Sequence, residues 1–410
     1  MPAVLGLFNI FALIYVFRSV QLTAVIWREW QTLNQEPLTT RKKQLAEQAS
    51  FFIAVPVGVF LHEMGHAIAT WLFGGRVIEF GYRVFWGYVI PAGTFTPSQD
   101  WFISLAGTIG SLLYGLALWL LLRRARTTFL RYFGLRAFRF QVYFSLIYYP
   151  IFTLLLSIGD WRTIYNFSAT PLLSSLTIPL HALLLGLFWW GDRIGWFEMP
   201  VFATLAEQQR FEQLAQESGH NPEAQLALCL ALLQGRAVNK ARHLANKLFR
   251  QHQTQSGDLA FVLALLELER KSHISRKAQH YLEQALQLGL TDSYRQAYAY
   301  QKLAQYYLER DKVQDALRMV EAGITAVSPL VHKENGRSDT PLVLAQLLHQ
   351  RGRSFLRLKQ YEQAYSDIQQ ALALAQAANA TAAIKFYQEE LALVERHAGR
   401  KLDLSPPHVP

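Results

Sequence analysis

Residues 51–75, 101–122, 140–159 and 163–191 are long apolar runs without lysine or arginine, and Glu63 is their one carboxylate. A helix rises 1.5 Å per residue, so about 20 apolar residues cross a hydrocarbon core about 30 Å thick. Each run is therefore read as a membrane-spanning helix. A further apolar run, residues 1–17, is followed by Arg18 and more apolar sequence to Trp27. It lacks the basic start and small-residue cleavage site of a signal peptide, so it is read as a first span. The expectation is a polytopic bundle of four to five helices.

Only 17% of the 410 residues are charged, against about a quarter in soluble domains. The deficit lies in the first half; from Pro200 onward the chain reads as soluble helix. The single cysteine, Cys229, excludes an internal disulfide and a cysteine-cluster metal site. The net charge is +10, but its basic clusters flank apolar runs. That pattern fits membrane topology and speaks against nucleic-acid binding.

One cluster, before the second span, holds Arg28, Arg41, Lys42 and Lys43; another, between the third and fourth, holds Arg123, Arg124, Arg126, Arg131, Arg136 and Arg139. With five spans both fall on one side. The positive-inside rule makes that side cytoplasmic, and the C-terminal half with it. Between the second and third spans, residues 76–96 are rich in aromatic and β-branched side chains, with Gly81, Gly87 and Gly93 as breaks. This predicts a short β-hairpin.

His62-Glu63-Met64-Gly65-His66 lies inside the second span. Residues i and i+4 share a helix face, so both imidazoles can hold one metal ion, and the intervening glutamate can take a proton from an attacking water. A short pattern of this kind occurs by chance on soluble helices. In a bilayer, however, Glu63 costs several kcal/mol without a polar cavity or partner, and metal binding supplies the reason for three ionisable groups there. The bland reading is a polar cluster that ties helices together. Catalytic zinc takes three protein ligands. Asp160, at the end of an uncharged run, is the first choice for the third, with His181 next and Glu79 and Asp100 behind. Helix-end acids are common, and a lone buried histidine more often bonds a backbone carbonyl, so position alone leaves these open.

These features together resemble the site-2 protease-like intramembrane zinc metallopeptidases: HEMGH in a membrane helix, a glycine-containing hairpin segment, a glycine-bearing third helix and a distal aspartate. The resemblance covers about residues 45–195. It implies Zn2+ held by His62, His66 and Asp160, with Glu63 as the catalytic base. The surroundings depart from the family pattern. Ser157-Ile158-Gly159-Asp160-Trp161 lacks the usual glycine after the aspartate, and Ala106-Gly107-Thr108-Ile109-Gly110-Ser111 has Thr108 and Ser111 where proline and asparagine are usual. The plain role of Gly107, Gly110 and Gly115 is close helix packing.

Residues 200–400 are rich in helix formers and broken at short intervals. A small-aromatic-alanine-apolar-alanine spacing is met by Gly352, Phe355, Ala364, Ile368 and Ala371, and with one change by Ala304, Tyr307, Ala316, Val320 and Gly323. Cys229, Leu232, Ala241, Ala245 and Leu248 fit loosely; Leu266, Glu269, Ala278, Leu282 and Ala285 fit in the second helix only. This half resembles about four tetratricopeptide repeats, an α-solenoid whose groove takes a protein or peptide partner; a generic helical bundle is the plain alternative. Residues 327–340 read as an exposed loop, residues after Thr381 as a capping helix and residues 401–410 as a flexible tail.

The expected architecture is an all-α membrane bundle over residues 1–199 with a hairpin insert, followed by the repeats. The expected function is an intramembrane zinc metalloendopeptidase that cuts membrane-spanning protein substrates. The alternative is an inactive membrane scaffold acting through its repeats. A desaturase-like iron enzyme needs many more clustered histidines than the 12 scattered here.

Overall fold

The computed structural model describes residues 2–156, 159–219, 221–252, 256–271, 273–331 and 339–399. By internal contacts the chain divides into two units, Met1–Gly219 with Ala231–His243, and His220–Leu230 with Leu244–Pro410. It is mostly helical, with one two-stranded sheet.

The first unit opens with α1 (Pro2–Arg28), the short α2 (Trp30–Leu33) and α3 (Thr40–Phe52). The side chain of Thr39 caps α3 by accepting from the Lys42 amide. After one non-helical residue, Ile53, the chain continues as α4 (Ala54–Leu72). β1 (Arg76–Tyr82) and β2 (Gly87–Ala92) pair antiparallel, with an irregularity between Val77 and Glu79. Gly81 and Gly87 sit inside these strands, opposite Tyr88 and Tyr82, rather than breaking them.

α5 (Pro97–Leu122) starts at a capping box made by Thr96 and Gln99. Next come α6 (Thr128–Tyr143), a π-helical turn (Phe144–Tyr148) and α7 (Tyr149–Leu156), then α8 (Asp160–Ile164) and α9 (Pro171–Arg193).

Four stretches among the described residues are long and apolar enough to cross a membrane: Ile10–Arg28, Thr40–Leu72, Pro97–Leu122 and Pro171–Arg193. Their outward faces expose Leu13, Leu72, Leu121 and Leu172, an apolar surface suited to lipid rather than water.

Two span boundaries differ from the sequence reading, whereas the first apolar run forms one helix, α1, with Arg18 inside it. The expected span 140–159 is the later part of a longer helical run that starts at Thr128 and is interrupted by the π turn; Ser157 and Ile158 lie outside the described residues. The last span begins at Pro171 rather than 163. Asn166 folds the chain there: its side chain accepts from the Ala169 amide and its carbonyl from Thr170, and Pro171 then opens the new helix.

Arg131, Arg136 and Arg139 consequently lie on α6, not in a loop. Leu33, Leu38, Ala46, Phe129 and Tyr132 form one buried cluster that joins the basic ends of α3 and α6, so the two basic clusters are neighbours.

Later helices are α10 (Leu205–Glu217), α11 (Pro222–Gln234), α12 (Val238–His252), α13 (Gly257–Leu268), α14 (Arg276–Leu288), α15 (Ser293–Leu308), α16 (Val313–Val331), α17 (Thr340–Arg357), α18 (Tyr361–Ala377) and α19 (Thr381–Ala398). From α13 onward each helix packs on the next, and α15 also reaches α17. This layering is that of a solenoid. Ala364, Ile368 and Ala371 are fully buried between α17, α18 and α19, and Ala304, Ala316 and Val320 are fully buried in α15 and α16.

α16 runs on to Val331, so the start of the expected 327–340 loop is helical; residues 332–338 lie outside the described residues, as do 400–410, which include the expected tail.

Candidate metal centre

α4 carries His62, Glu63 and His66. The two imidazoles meet edge-on one helical turn apart, with centroids 4.7 Å apart and planes at 82°. Asp160, the first residue of α8, closes the group: its Oδ2 lies 3.0 Å from His62 Nε2 and 3.1 Å from His66 Nε2. The three residues each offer one donor atom, all within 4.8 Å of one another. The structure thus brings together the two histidines of the motif and the aspartate favoured by position.

The donor set fits a cation. His66 Nδ1 donates to the Ile103 carbonyl at 2.7 Å, so the neutral ring presents Nε2 as a lone pair. A lone pair 3.1 Å from a carboxylate oxygen needs positive charge between them, a proton or a metal ion. Two imidazole nitrogens and one carboxylate are a zinc ligand set.

Backbone proximity makes the room. A Cβ on Gly107 would lie 2.3 Å from His66 Nε2 and 2.7 Å from His62 Nε2, so this glycine leaves space at the imidazole edges. Its neighbours do the packing expected of all three. A Cβ on Gly110 would meet the Leu61 carbonyl at 2.5 Å, and one on Gly115 would meet Gln141 at 2.8 Å. Gly65, in the motif itself, faces the Ala106 carbonyl in the same way, at 2.3 Å. Gly65 and Gly110 let α4 and α5 approach backbone to backbone, and Gly115 lets α5 approach α6.

Glu63 is 5% exposed and interacts electrostatically with His66 and Asp160. The hairpin covers it. A Cβ on Gly87 would lie 2.6 Å from Glu63 Cγ. Tyr82 pins the hairpin to α4 by donating to the Pro56 carbonyl at 3.0 Å, and Phe60 packs edge-on against the rings of Phe80 and Tyr82.

The other candidate ligands stand elsewhere. His181 Nε2 donates to the Leu146 carbonyl at 2.8 Å, and its Nδ1 accepts from the Tyr165 hydroxyl at 2.6 Å. The reason is local: Pro150 has no amide to offer the carbonyl four residues back, which is that of Leu146. Glu79 accepts from the Tyr88 hydroxyl, and Asp100 lies in the first turn of α5. Ser111 bonds Ser145 of the π turn at 2.7 Å and the Thr108 carbonyl at 3.0 Å, so its hydroxyl is committed to helix packing.

One neighbour of the cluster was not singled out in the sequence. The Tyr149 hydroxyl donates to Asp160 Oδ2 at 2.9 Å and accepts from the Asp160 amide at 3.2 Å. Its ring meets His62 edge-on, with centroids 5.3 Å apart.

Residues 48–190 match the family model described as Peptidase M50B-like. The match spans the motif helix, the hairpin and Asp160, and it supports the resemblance of this segment to the site-2 protease-like metallopeptidases. The chain is a membrane protein with a metallopeptidase-like domain. No curated protein matches the chain.

Proposed function

We propose that the chain is a zinc-dependent intramembrane endopeptidase acting on membrane-spanning proteins. One observation carries this reading: His62 and His66, on a helix long and apolar enough to cross a membrane, converge with Asp160 on a single point, with Glu63 beside the first ligand in sequence. The family match supports it.

His62 and His66, through Nε2, and Asp160, through its carboxylate, would hold the ion. Zinc, when bound, supplies positive charge that acidifies a water and polarises a peptide carbonyl. Glu63 takes the proton of the attacking water on its carboxylate and passes it to the leaving amide nitrogen. The ring edges of His62 and His66 are held by the helix spacing and by Ile103, and Gly107 leaves the space in front of them. Gly87 and Tyr82 place the hairpin over the base. The apolar wall keeps bulk water from screening these charges.

The repeats, as a solenoid, offer a groove for a protein or peptide partner, either substrate or regulator. The adjacent basic ends of α3 and α6 support a cytoplasmic placement for that side and for the repeats. Nucleic acid has no part in this reading.

The deciding experiment is zinc content of the detergent-purified full chain, wild type against His62→Ala and Asp160→Ala, with cleavage of fluorescent casein by wild type against Glu63→Gln. About one zinc per chain, lost in both ligand variants, with cleavage abolished by Glu63→Gln, is expected. Zinc-free wild type would overturn the metal centre and favour the scaffold. Zinc retained in Asp160→Ala would move the third ligand elsewhere.

A further inference from the structure

A tyrosine hydroxyl buried among apolar helices must find a hydrogen-bond partner. The hydroxyl of Tyr149 finds both of its partners on one residue. It accepts from the Asp160 amide at 3.2 Å and donates to Asp160 Oδ2 at 2.9 Å. Oδ2 is also the oxygen that stands 3.0 Å and 3.1 Å from the two imidazole nitrogens. The Tyr149 ring lies edge-on to His62 at 79°. A single side chain off the motif helix thus touches two of the three residues of the cluster.

Asp160 needs such a hold. It begins a helix of only five residues, and it follows Gly159, whose φ of +106° is one that glycine alone adopts readily. The ring formed by amide, hydroxyl and carboxylate fixes the carboxylate, because it ties the side chain of Asp160 to its own backbone through one external atom. Gly159 leaves the space: a Cβ there would lie 3.0 Å from the Tyr149 hydroxyl and 2.9 Å from Thr153 Oγ1.

The helix is built to aim this tyrosine. Tyr149 directly follows the π turn, and its amide donates to the Phe144 carbonyl five residues back. A π turn inserts a residue and rotates all that follows by about 100° relative to an uninterrupted α-helix. The turn is braced by Ser145 on Ser111 and by His181 on the Leu146 carbonyl. Short π segments of this kind recur at functional sites.

We propose that Tyr149 is a positioning residue of the metal centre: its hydroxyl sets the carboxylate of Asp160 against the two imidazoles, and its ring braces His62. The proposal rests on the zinc reading above. Residues that orient a ligand in this way typically change metal affinity by about 10- to 100-fold when altered.

The test uses the full chain in detergent. Zinc affinity is measured by competition with a chromophoric chelator, and the ligand field by the visible spectrum of the cobalt-substituted protein. Tyr149→Phe keeps the ring and removes the hydroxyl. It is expected to bind zinc about 10- to 100-fold more weakly, with altered cobalt bands and unchanged helix content in the metal-free form. Tyr307→Phe removes a hydroxyl bonded to Glu283 in the repeats instead, and it is expected to retain wild-type affinity and spectrum. Tyr149→Leu, which removes the hydroxyl and the ring together, is expected to weaken zinc and change the cobalt bands at least as far as Tyr149→Phe, and wild-type behaviour in either variant that folds overturns the proposal. Wild-type affinity and an identical cobalt spectrum in Tyr149→Phe would overturn the positioning role while leaving the zinc reading intact. Metal-free wild type would overturn both.

Discussion

Gly87 of the hairpin rests directly on the side chain of Glu63. A methyl group in place of its α-hydrogen would come within 2.6 Å of Cγ and 2.9 Å of Oε1. The close approach joins two segments that a reading of the motif alone treats separately. The hairpin backbone forms one wall around the carboxylate, and Tyr82 and Phe60 hold that wall to the same helix.

Gly87→Ala pushes the Glu63 stem out of place without touching a metal donor. Misplacement of a catalytic group by about 1 Å can cost about 100-fold in rate. Casein cleavage by Gly87→Ala is therefore expected to fall on the order of 100-fold, with zinc content equal to wild type. Undiminished cleavage would show that the strand does not constrain Glu63.

Gly107 makes a contrasting case. A Cβ there meets both Nε2 atoms, at 2.3 Å and 2.7 Å, so the imidazoles must move. Gly107→Ala is expected to lose bound zinc as His62→Ala does, while circular dichroism shows the helices intact. Elemental analysis of the purified variant checks this, and a full complement of zinc would mean the rings have room that the structure does not show.

In the repeats, Arg351 grips Asp367 through two hydrogen bonds, of 2.7 Å and 2.8 Å. Asp367 is 4% exposed. Removing the arginine strands a buried carboxylate, so Arg351→Ala is expected to destabilise the repeats by about 2 to 3 kcal/mol. Arg351→Lys restores charge but not the paired geometry, and is expected to recover only part of the loss. Thermal unfolding of the full chain, followed by circular dichroism, ranks the three proteins. Equal midpoints would remove the pair from the stability of this unit.

The repeats also carry a pH dependence of known sign. The hydrogen bond from His349 Nε2, at 3.0 Å, holds the Glu390 carboxyl below its ordinary pKa of 4.5, assisted by Arg353 at 3.4 Å. A carboxyl depressed in the folded state adds stability above its unfolded pKa. That contribution fades as pH falls from the unfolded value through the folded one. The unfolding midpoint of wild type is expected to drop faster than that of Glu390→Gln below about pH 4.5. Parallel curves for the two proteins would refute the assignment.

Features set by neighbouring residues are legible in their order. The long uncharged runs are apolar enough to cross a bilayer by composition alone. The i, i+4 histidines share a helix face by helical geometry alone. The alternation of aromatic and glycine residues after the motif predicts the hairpin, and the small-residue spacing after Pro200 anticipates the buried alanines of the solenoid. Pro150 was a readable signal of the break in the expected 140–159 span, since proline withholds the amide that the Leu146 carbonyl needs.

Tertiary structure decided what joins distant segments. Asp160 meets His62 across 98 residues, and its local position made it equally suitable as a plain helix end. His181 competes with it by position, and packing commits both of its ring nitrogens to Leu146 and Tyr165 instead. The glycines of α5 are alike in sequence, yet Gly107 faces imidazoles while Gly110 faces the Leu61 carbonyl, because the crossing of α4 and α5 assigns each a different neighbour. Tyr149 carries no motif, and only the π turn and the return of the chain at Gly159 bring its hydroxyl to the carboxylate. Helical phase and composition are properties of neighbouring residues and can be read from their order; these contacts are properties of packing, and exist only once the helices have met.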